Sequence, residues 1–549
     1  MADQRRLDGA IITVDGKPLA AELYGQLTLV RVEESVLLPD YFALRFDDPH
    51  FDLFDKGTFN LGMRVEVAFR AEADPVVVTV GEVTAVAVEP GPSGRHELHV
   101  SGMDVTHRLA RQRKSRSYQG VTDSDIASRI AGEYGLSVEV DSSGEVHEYV
   151  LQRGETDYAF LRRRAARIGF HFWIADKTFF FKKSPRAAGS PPALKWGGNL
   201  KKFSVRFSAG ERADEVQIDG WDPLGKRAVI GRASDAEPGT DAPAAQEMAS
   251  GAKRAFGKVK RNAGQFPVGD QAEADALAEA FLTRAAGEEV VLRGETAGDP
   301  MLGAGAQVKL EQVGSRLSGK YRVTSVEHLY AAGRPYVTKF VCGGREPSGL
   351  ADLVGGGGLA EKRGWHGLVV GIVTNNDDPE KLGRVKVTFP TLSKEDESTW
   401  ARVVTPGGGP KRGMQWLPEV DDEVLVGFEL DDETRPVVLG GLWNRTDPPP
   451  QPDAPKNGTT QSWILASRKD SRLALVDDPT PAVDLLLGGT KVRLHLATAE
   501  SNLTGDQKLV IEASEIEVTA TGKLALKGAT VDITATGAMT LAGKPIKLN

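Results

Sequence analysis

Apolar residues near the carboxyl end of the chain occur in pairs two positions apart, and the pairs recur every seven or eight residues. The six pairs are Leu509 and Ile511, Ile516 and Val518, Leu524 and Leu526, Val531 and Ile533, Met539 and Leu541, and Ile546 and Leu548. Two pairs make a 15-residue unit, in which Gly522 recurs at Gly537 and Gly528 recurs at Gly543. Residues two apart share one face of a strand, so the repeat predicts short strands that each have one apolar face.

A strand with two apolar side chains cannot form a core alone, so another surface must cover this stripe. One solution is a β-solenoid of a single chain, whose coils need about 18 or more residues and three faces. The other is an intertwined trimeric prism, in which each of three chains contributes one wall. A turn every seven or eight residues leaves one narrow stripe per chain, which favours the trimer. We therefore predict that these twelve apolar side chains form the core of a homotrimeric β-prism.

Helical periodicity is clear in three places. Apolar residues recur on one face of Thr122–Tyr134, which begins with a capping pair, and on one face of Thr156–Ile168. An aromatic run at 170–181 follows the second helix and is predicted to be a hairpin packed on it. A third helix is predicted at Gln271–Ala286, whereas the polar stretch 232–269 is predicted to be a loop.

Short alternating runs dominate the third quarter of the chain and predict strands. They lie at Gly367–Val373, Arg384–Phe389, Trp400–Val404, Glu423–Phe428 and Pro436–Leu439. About 80 residues of this pattern are typical of a small closed barrel such as an OB fold. Four tryptophans in this region, Trp365, Trp400, Trp416 and Trp443, are expected to form core or subunit contacts.

Composition limits the classes of function. The 549 residues carry a net charge of −8, which offers no global basic field for nucleic acid or an anionic membrane. One cysteine, Cys342, excludes a disulfide framework within the chain. No stretch is apolar enough to span a bilayer, and the start Met-Ala-Asp-Gln-Arg-Arg lacks the apolar run of a signal peptide, so we expect synthesis in the cytoplasm.

Candidate catalytic chemistry is weak throughout. Gly314–Lys320 spells most of a phosphate loop, but Tyr321 stands where a magnesium-binding Ser or Thr is needed, so a hairpin turn is favoured. His96 and His99 fall on opposite faces of a predicted strand, and the adjacent acids near 421 and 431 fall at predicted turns. We therefore predict no catalytic, cofactor-binding or metal-binding residues and no enzyme activity.

Five bases lie within nine residues, at Arg108, Arg111, Arg113, Lys114 and Arg116. A solvated loop is the simpler interpretation of this segment. The functional interpretation is a contact with an acidic partner protein; nucleic acid is disfavoured because no aromatic residues alternate with the bases.

Three motifs carry a family resemblance. Residues 149–161 contain Gln152-Arg153-Gly154-Glu155-Thr156-Asp157 and then Phe160-Leu161, which look like a hub signature. Leu382-Gly383-Arg384-Val385-Lys386-Val387-Thr388-Phe389-Pro390, followed by Trp400-Ala401-Arg402-Val403, looks like the strands of a spike OB domain. These motifs follow one another along the chain in the order found in the spike proteins of contractile injection systems. The sequence therefore resembles that family, which comprises the VgrG-type proteins and their phage baseplate relatives.

The resemblance implies a fold class that is mainly β, with α+β hub domains, an OB-fold barrel and a trimeric β-prism. The implied divisions are hub domain I (1–185), hub domain II (186–350), a Gly-rich linker (351–364), the barrel (365–446), a Pro-rich linker (447–460) and the prism needle (461–549). The implied function is a homotrimeric spike that connects baseplate and inner tube to a membrane-puncturing needle. The Phe389-Pro390 strand end favours a phage-tail-like particle released outside the cell over a type VI secretion spike.

Partners also follow from the resemblance, and it implies baseplate or tube subunits as the acidic partners of the five bases at 108–116. The implied partners are baseplate and inner tube proteins, possible effector cargo, the target cell envelope and a PAAR-type tip protein, for which Ile546, Lys547, Leu548 and Asn549 are the expected docking residues. Three alternatives remain open: a type VI spike carrying effectors, a spike with a cell-wall hydrolase, and a receptor-binding fibre.

Overall fold

The computed structural model forms two compact units, residues 1–444 and 445–549, which are described separately. It describes residues 9–547 except for 72–73, 92–93, 184–190, 211, 235, 237–238, 263–266, 345–366, 392–396, 433, 454, 470, 478–481, 487–507 and 513. The predicted Gly-rich linker and Trp365 lie outside the described residues. Among the described helices, none has the length and apolar character needed to cross a bilayer.

Residues 9–344 form what we call the hub. Its first half contains β1 (Ala10–Val14), β2 (Lys17–Pro18), a 3-10 helix (Ala21–Gly25), β3 (Leu27–Ser35), β4 (Tyr41–Asp47), α1 (Asp52–Asp55), β5 (Arg64–Ala71), β6 (Asp74–Pro90), β7 (His96–Met103), α2 (Thr106–Leu109), β8 (Arg113–Thr122), α3 (Asp123–Glu133), β9 (Ser137–Val140), β10 (Val146–Thr156), α4 (Asp157–Arg167), β11 (His171–Ala175) and β12 (Thr178–Lys182).

The second half contains β13 (Ala193–Lys195), β14 (Leu200–Phe207), β15 (Glu215–Asp222), β16 (Arg227–Ser234), α5 (Pro243–Phe256), β17 (Lys260–Asn262), α6 (Gln271–Glu289), β18 (Val290–Ala297), β19 (Gln307–Glu311), β20 (Gly319–Ala331) and β21 (Val337–Cys342). The predicted helix at Gln271–Ala286 is therefore confirmed and is one turn longer at its carboxyl end.

Both predicted helices of the first half begin where their caps require. The side chain of Thr122 accepts a hydrogen bond from the Asp125 amide in a full capping box, and Thr156 accepts one from the Ala159 amide. Helices α3 and α4 share one core with the aromatic hairpin β11–β12, to which Phe179 contributes a fully buried ring. The predicted hairpin on helix α4 is confirmed.

The prediction of a loop over 232–269 is wrong, because α5 and β17 lie within it. Helix α5 starts with Pro243 in its first turn and is rich in alanine, the strongest helix former. It buries only Ala244 and Ala245. The helix therefore lacks the wide apolar stripe by which a helix is recognised in a sequence, and for that reason the sequence predicts a loop here.

A 13-stranded sheet runs through both halves of the hub and contains one five-strand arrangement twice. In the first copy the neighbours are β3, β4, β7, β6 and β5; in the second they are β14, β18, β21, β20 and β19. Both copies are antiparallel throughout. The sequence interpretation did not detect this duplication.

Matching register shifts between strands show which residues of the two copies are equivalent. The β6–β7 register shifts after Val83, and the β20–β21 register shifts after Val323. Gly62 and Gly305, both with positive φ, donate N–H groups to the carbonyls of these two valines at 2.9 Å. Bulges are specific features of a strand pair, so their coincidence identifies equivalent residues.

The two copies meet at a junction between β20 and β3. The strands pair antiparallel from Ser325 opposite Ser35 to Ala331 opposite Leu29. This junction makes the duplicated units one continuous sheet.

The barrel (residues 369–441) contains β22 (Val369–Asn375), β23 (Lys386–Thr388), β24 (Arg402–Val403), β25 (Gly408–Gly409), β26 (Arg412–Gly413), β27 (Glu423–Phe428), a 3-10 helix (Glu429–Asp431) and β28 (Pro436–Gly441). Five strands form one sheet in the order β23-β22-β27-β28-β24 around a valine-rich core. The prediction of a β-rich hub followed by an OB-fold barrel is confirmed.

The second unit contains β29 (Pro455–Lys456), β30 (Thr459–Thr460), β31 (Ser462–Ala466), β32 (Arg472–Val476) and β33 (Ala482–Leu486). The last three form an antiparallel sheet. Residues 508–547, which we call the needle segment, bend at 514, 521–522, 529, 536–537 and 544–545 and form no strand pair among their described residues. The bends follow the predicted spacing of seven to eight residues.

Candidate functional site: surfaces for assembly

The predicted core positions of the needle segment are uncovered in the single chain. Eleven of the twelve are described, and their exposed fractions run from 50% at Val531 to 66% at Leu526. Leu548 lies outside the described residues. The first member of each pair is 50–55% exposed and the second 62–66% exposed, so the stripe has a regular profile along the segment.

A second uncovered apolar face precedes the needle segment, on the sheet β31–β33. Trp463 lies opposite Leu475, and Leu465 lies opposite Leu473, so these side chains share one face. Trp463, Leu465 and Leu475 are each about half exposed, whereas Ala474 on the other face is buried. The sequence interpretation missed this face, although its signal was present: pairs two apart recur here every ten residues.

Of the predicted tip-docking residues, Ile546 and Lys547 are described and exposed. Leu548 and Asn549 lie outside the described residues, and the docking role stays a prediction.

The basic segment 108–116 is ion-paired within the hub. Arg108 donates from Nε and Nη2 to the two carboxylate oxygens of Glu82, at 2.8 and 2.5 Å, and His107 lies 3.0 Å from the same carboxylate. Burial raises the pKa of Glu82, but these two neighbours outweigh it and hold that pKa below its ordinary value. Arg111 Nε lies 3.3 Å from His107 Nδ1.

The solvated-loop interpretation is wrong for the rest of the segment, because Arg113, Lys114 and Arg116 lie in strand β8. Arg113 donates to the carbonyl of Gly154 at 3.1 Å. Lys114 Nζ lies 2.7 Å from Asp157, and Arg116 Nη2 also lies 2.7 Å from it. A baseplate or tube contact through this segment stays a prediction.

Asp157 is the centre of this network and is fully buried. Gln152 donates to it at 2.8 Å and the Tyr134 hydroxyl donates at 2.7 Å. Burial alone would raise the pKa of Asp157, but hydrogen bonds from Lys114 and Gln152 lower it below its ordinary value. The hub signature thus supplies an acceptor that ties strands β8 and β10 to helices α3 and α4.

The barrel motif at 382–390 also contains a buried residue with a structural role, Arg384. Arg384 donates from Nε and Nη2 to the two oxygens of Asp378, at 3.0 and 2.8 Å, and both side chains are buried. This pairing lowers the pKa of Asp378 strongly. The pair fixes the loop between β22 and β23, because Asp378 also accepts the backbone N–H groups of Glu380 and Leu382.

Two barrel tryptophans are not core residues. Trp416 is 53% exposed and Trp443 is 72% exposed, so the core interpretation is wrong for both and a subunit contact remains for them. Trp400 lies beside Arg384 and Lys386, whose charged groups are 5.9 and 5.6 Å from its ring.

One group of carboxylates has the spacing that a metal ion needs. Oxygens of Glu145, Asp270 and Glu273 lie within 4.8 Å of one another. Arg167 pairs with Glu273, and Asp270 accepts the Glu273 amide at 2.8 Å as the cap of α6. These contacts give the group a structural role between the two halves of the hub. The sequence could not show that these carboxylates lie close together, because 125 residues separate Glu145 from Asp270.

The remaining candidates have structural roles. Gly314–Lys320 joins β19 to β20, which confirms the hairpin turn, and Tyr321 is buried in the strand. His96 and His99 both lie in β7. Asp421 and Asp431 have positive φ, as expected for the predicted turns.

Two family models match the chain. The injector OB domain of type VI secretion systems and phage baseplates matches residues 369–443. The Alg8 N-terminal domain matches residues 42–331, which is more than half of the chain.

The chain is also similar to several curated relatives and to a solved structure. The type VI secretion system spike protein VgrG1b of Pseudomonas aeruginosa is 23% identical over 400 residues, which cover 66% of this chain and 51% of that protein. The chain thus spans about half the length of that relative. Spike protein VgrG5 of the same organism is 38% identical over 84 residues, covering 15% of this chain and 10% of that protein. A chain of the Francisella PdpA–VgrG complex has a TM-score of 0.49 at 8% identity, covering 85% of this chain and 76% of that one.

Proposed function

The chain carries an Alg8 N-terminal domain and an injector OB domain and belongs to the VgrG-type baseplate spikes, and from that premise we propose that it is the homotrimeric central spike of a contractile injection system. The hub seats on the baseplate and heads the inner tube, the barrel forms a collar, and the carboxyl-terminal unit is the needle. The role is mechanical and not enzymatic.

The uncovered stripe of the needle segment carries this proposal. Its eleven described apolar side chains repeat regularly, are half exposed or more, and meet no strand partner among the described residues of their own chain. Two further copies supply both the missing strand partners and an apolar surface with the same spacing. A lone chain would leave this stripe in water.

The energy available is large enough to hold three chains together. Full burial of one such side chain contributes about 1.5–3 kcal/mol, and about half of each is still exposed. Eleven positions therefore offer roughly 8–17 kcal/mol of gross transfer free energy per copy, before the entropy of ordering the segment. Because each strand shares its core with two neighbours, a single strand cannot peel away without exposing apolar surface of all three chains.

Partners follow from the same role. We propose that baseplate and inner tube proteins contact the hub, that a PAAR-type tip protein covers Ile546–Asn549, and that effectors travel with the spike into a target cell envelope. Synthesis and assembly take place in the cytoplasm. A phage-tail-like particle acting outside the cell is supported by the Phe389-Pro390 strand end, whereas the matched relatives are type VI spikes.

Light scattering on the purified full-length chain tests the proposal. We expect three times the 58.9 kDa chain mass. Leu524→Asp places a charge on the stripe and should shift the sample toward monomer, whereas Ala525→Asp, on the opposite strand face, should leave the trimer intact.

A monomeric wild-type chain at micromolar concentration would refute the proposal. Equal effects of the two aspartate substitutions would show that the stripe is not the trimer core.

A further inference from the structure

A large cleft lies among the two halves of the hub and the barrel, within the first compact unit. Its walls include helices α4 and α6, strand β11, the start of β20 and the 3-10 helix of the barrel, and we call it the hub cleft. Its volume is about 2900 Å³. Sites for small molecules usually enclose about 300–1,000 Å³. The size of the hub cleft therefore suits a segment of another macromolecule better than a small molecule.

Arginine pairing is complete outside the hub cleft. Every half-buried arginine that the structure describes outside the cleft has a carboxylate partner; these are Arg45, Arg64, Arg116 and Arg212. Such pairing is expected, because burial removes water from a guanidinium whose charge cannot be lost by deprotonation.

Three half-buried arginines of the hub cleft depart from this rule. Among the described residues, no carboxylate lies within ion-pair distance of Arg162, Arg322 or Arg435. Arg162 donates a hydrogen bond to the Tyr158 hydroxyl, and Arg435 donates to the carbonyl of Trp221 at 3.5 Å. These contacts are to neutral groups, so the three guanidinium charges are left without counter-charges.

Carboxylates that line the hub cleft do not fill this role, because arginines already hold them. Glu273 pairs with Arg167, and Glu429 pairs with Arg402. An anionic ligand would supply the counter-charges that the three other arginines lack.

An aromatic wall lies beside Arg322. His171 and Trp173 are two residues apart in β11, so both project from the same face of the strand, and both line the hub cleft. The imidazole has no hydrogen-bond partner among the described residues. Burial and the charge of Arg322 lower the pKa of His171 to about 4. At neutral pH the imidazole is therefore uncharged and can donate a hydrogen bond to a ligand.

Apolar side chains are exposed in the same cleft. Leu38 and Val77 line it and are 37% and 48% exposed in the single chain. Together with Trp173 they give the cleft apolar surface between its charged groups. A ligand that fits this surface carries both anionic and apolar groups.

We propose that the hub cleft binds an extended acidic segment of another protein, whose carboxylates pair with Arg322 and Arg162 and whose apolar side chains pack on Trp173. The inference rests on the proposed function, in which other proteins bind the hub, and it names the chemistry of one such partner. Nucleic acid fits less well. Three arginines on separate elements do not form a continuous basic track for a phosphate backbone, and the chain carries a net charge of −8.

Fluorescence anisotropy with the full-length protein tests the proposal. The probe is a labelled twelve-residue peptide that repeats Glu-Gly-Phe-Asp, and its control has lysine in place of both acids. Arg322→Gln and Arg162→Gln should each weaken binding of the acidic peptide about tenfold, because each removes a charge-assisted hydrogen bond. Arg95→Gln is the matched control, since Arg95 is 65% exposed, pairs with Asp47 and lies outside the cleft. It should leave binding unchanged.

Tryptophan fluorescence locates the bound peptide. Saturating unlabelled acidic peptide should change the fluorescence of the wild type, and Trp173→Phe should remove most of that change.

Equal binding of the acidic and lysine peptides overturns the inference, as does equal binding by Arg322→Gln and Arg95→Gln. Single-stranded DNA of the same length that binds as tightly as the acidic peptide also overturns it. Light scattering on the same samples reports the oligomeric state separately, so a trimer that fails these tests leaves the proposed spike standing.

Discussion

Removal of the Asp157 carboxylate is the most informative perturbation of the hub. In Asp157→Ala, Lys114 and Arg116 lose the acceptor that they share, and Gln152 and Tyr134 lose theirs. Breaking one side of a buried ion pair costs about 3–5 kcal/mol. The side chains of Lys114 and Arg116 remain about a quarter exposed and keep Glu133 as a partner, so we expect the lower end, about 3 kcal/mol.

Hydrogen exchange of helix α4 in the full-length chain measures this loss. A cost of about 3 kcal/mol corresponds to roughly 100-fold faster exchange of its protected amides. The control is Asp176→Ala, whose partner Arg64 is 3.1 Å away and whose side chains are 57% and 41% exposed. Exposed pairs contribute about 0–1 kcal/mol, so exchange should change less than tenfold there. Equal effects of the two substitutions would refute the argument that Asp157 anchors α4.

The same carboxylate gives the hub a pH dependence with a defined sign. The pKa of Asp157 is lower in the folded chain than its ordinary value of 3.8. Its stabilising contribution is therefore complete above pH of about 4 and is lost as pH falls through the folded pKa. Exchange of α4 should accelerate in that acidic range for the wild type and less for Asp157→Ala.

Three further outcomes are expected. Arg384→Met should lower the free energy of unfolding of the barrel in urea by about 3 kcal/mol, because it leaves the buried Asp378 carboxylate without its cationic partner. Replacing both partners with apolar residues should recover much of the loss. Cys342 should resist iodoacetamide until the hub unfolds, because burial raises the pKa of its thiol, and labelling at low denaturant would contradict this. Gly231→Ala should lower the melting temperature of the hub, because the added Cβ would lie 2.2 Å from the carbonyl oxygen of Ala274.

Local patterns were sufficient where each element is defined by its own residues. The capping pair at Thr122 and the apolar periodicity of Thr156–Ile168 placed two helices to within a residue or two, and alternating runs placed the barrel strands. The apolar stripe of the needle segment could also be predicted, because its residue pairs recur every seven to eight positions in the sequence.

Contacts between distant segments were beyond the reach of such patterns. The Asp157 network joins residues of β8, α3 and α4, and nothing in their spacing shows that they meet. The hub duplication is hidden for a related reason. Its two copies keep the positions of bulges and positive-φ glycines but share few side chains, with Val83-Thr84 and Val323-Thr324 among them.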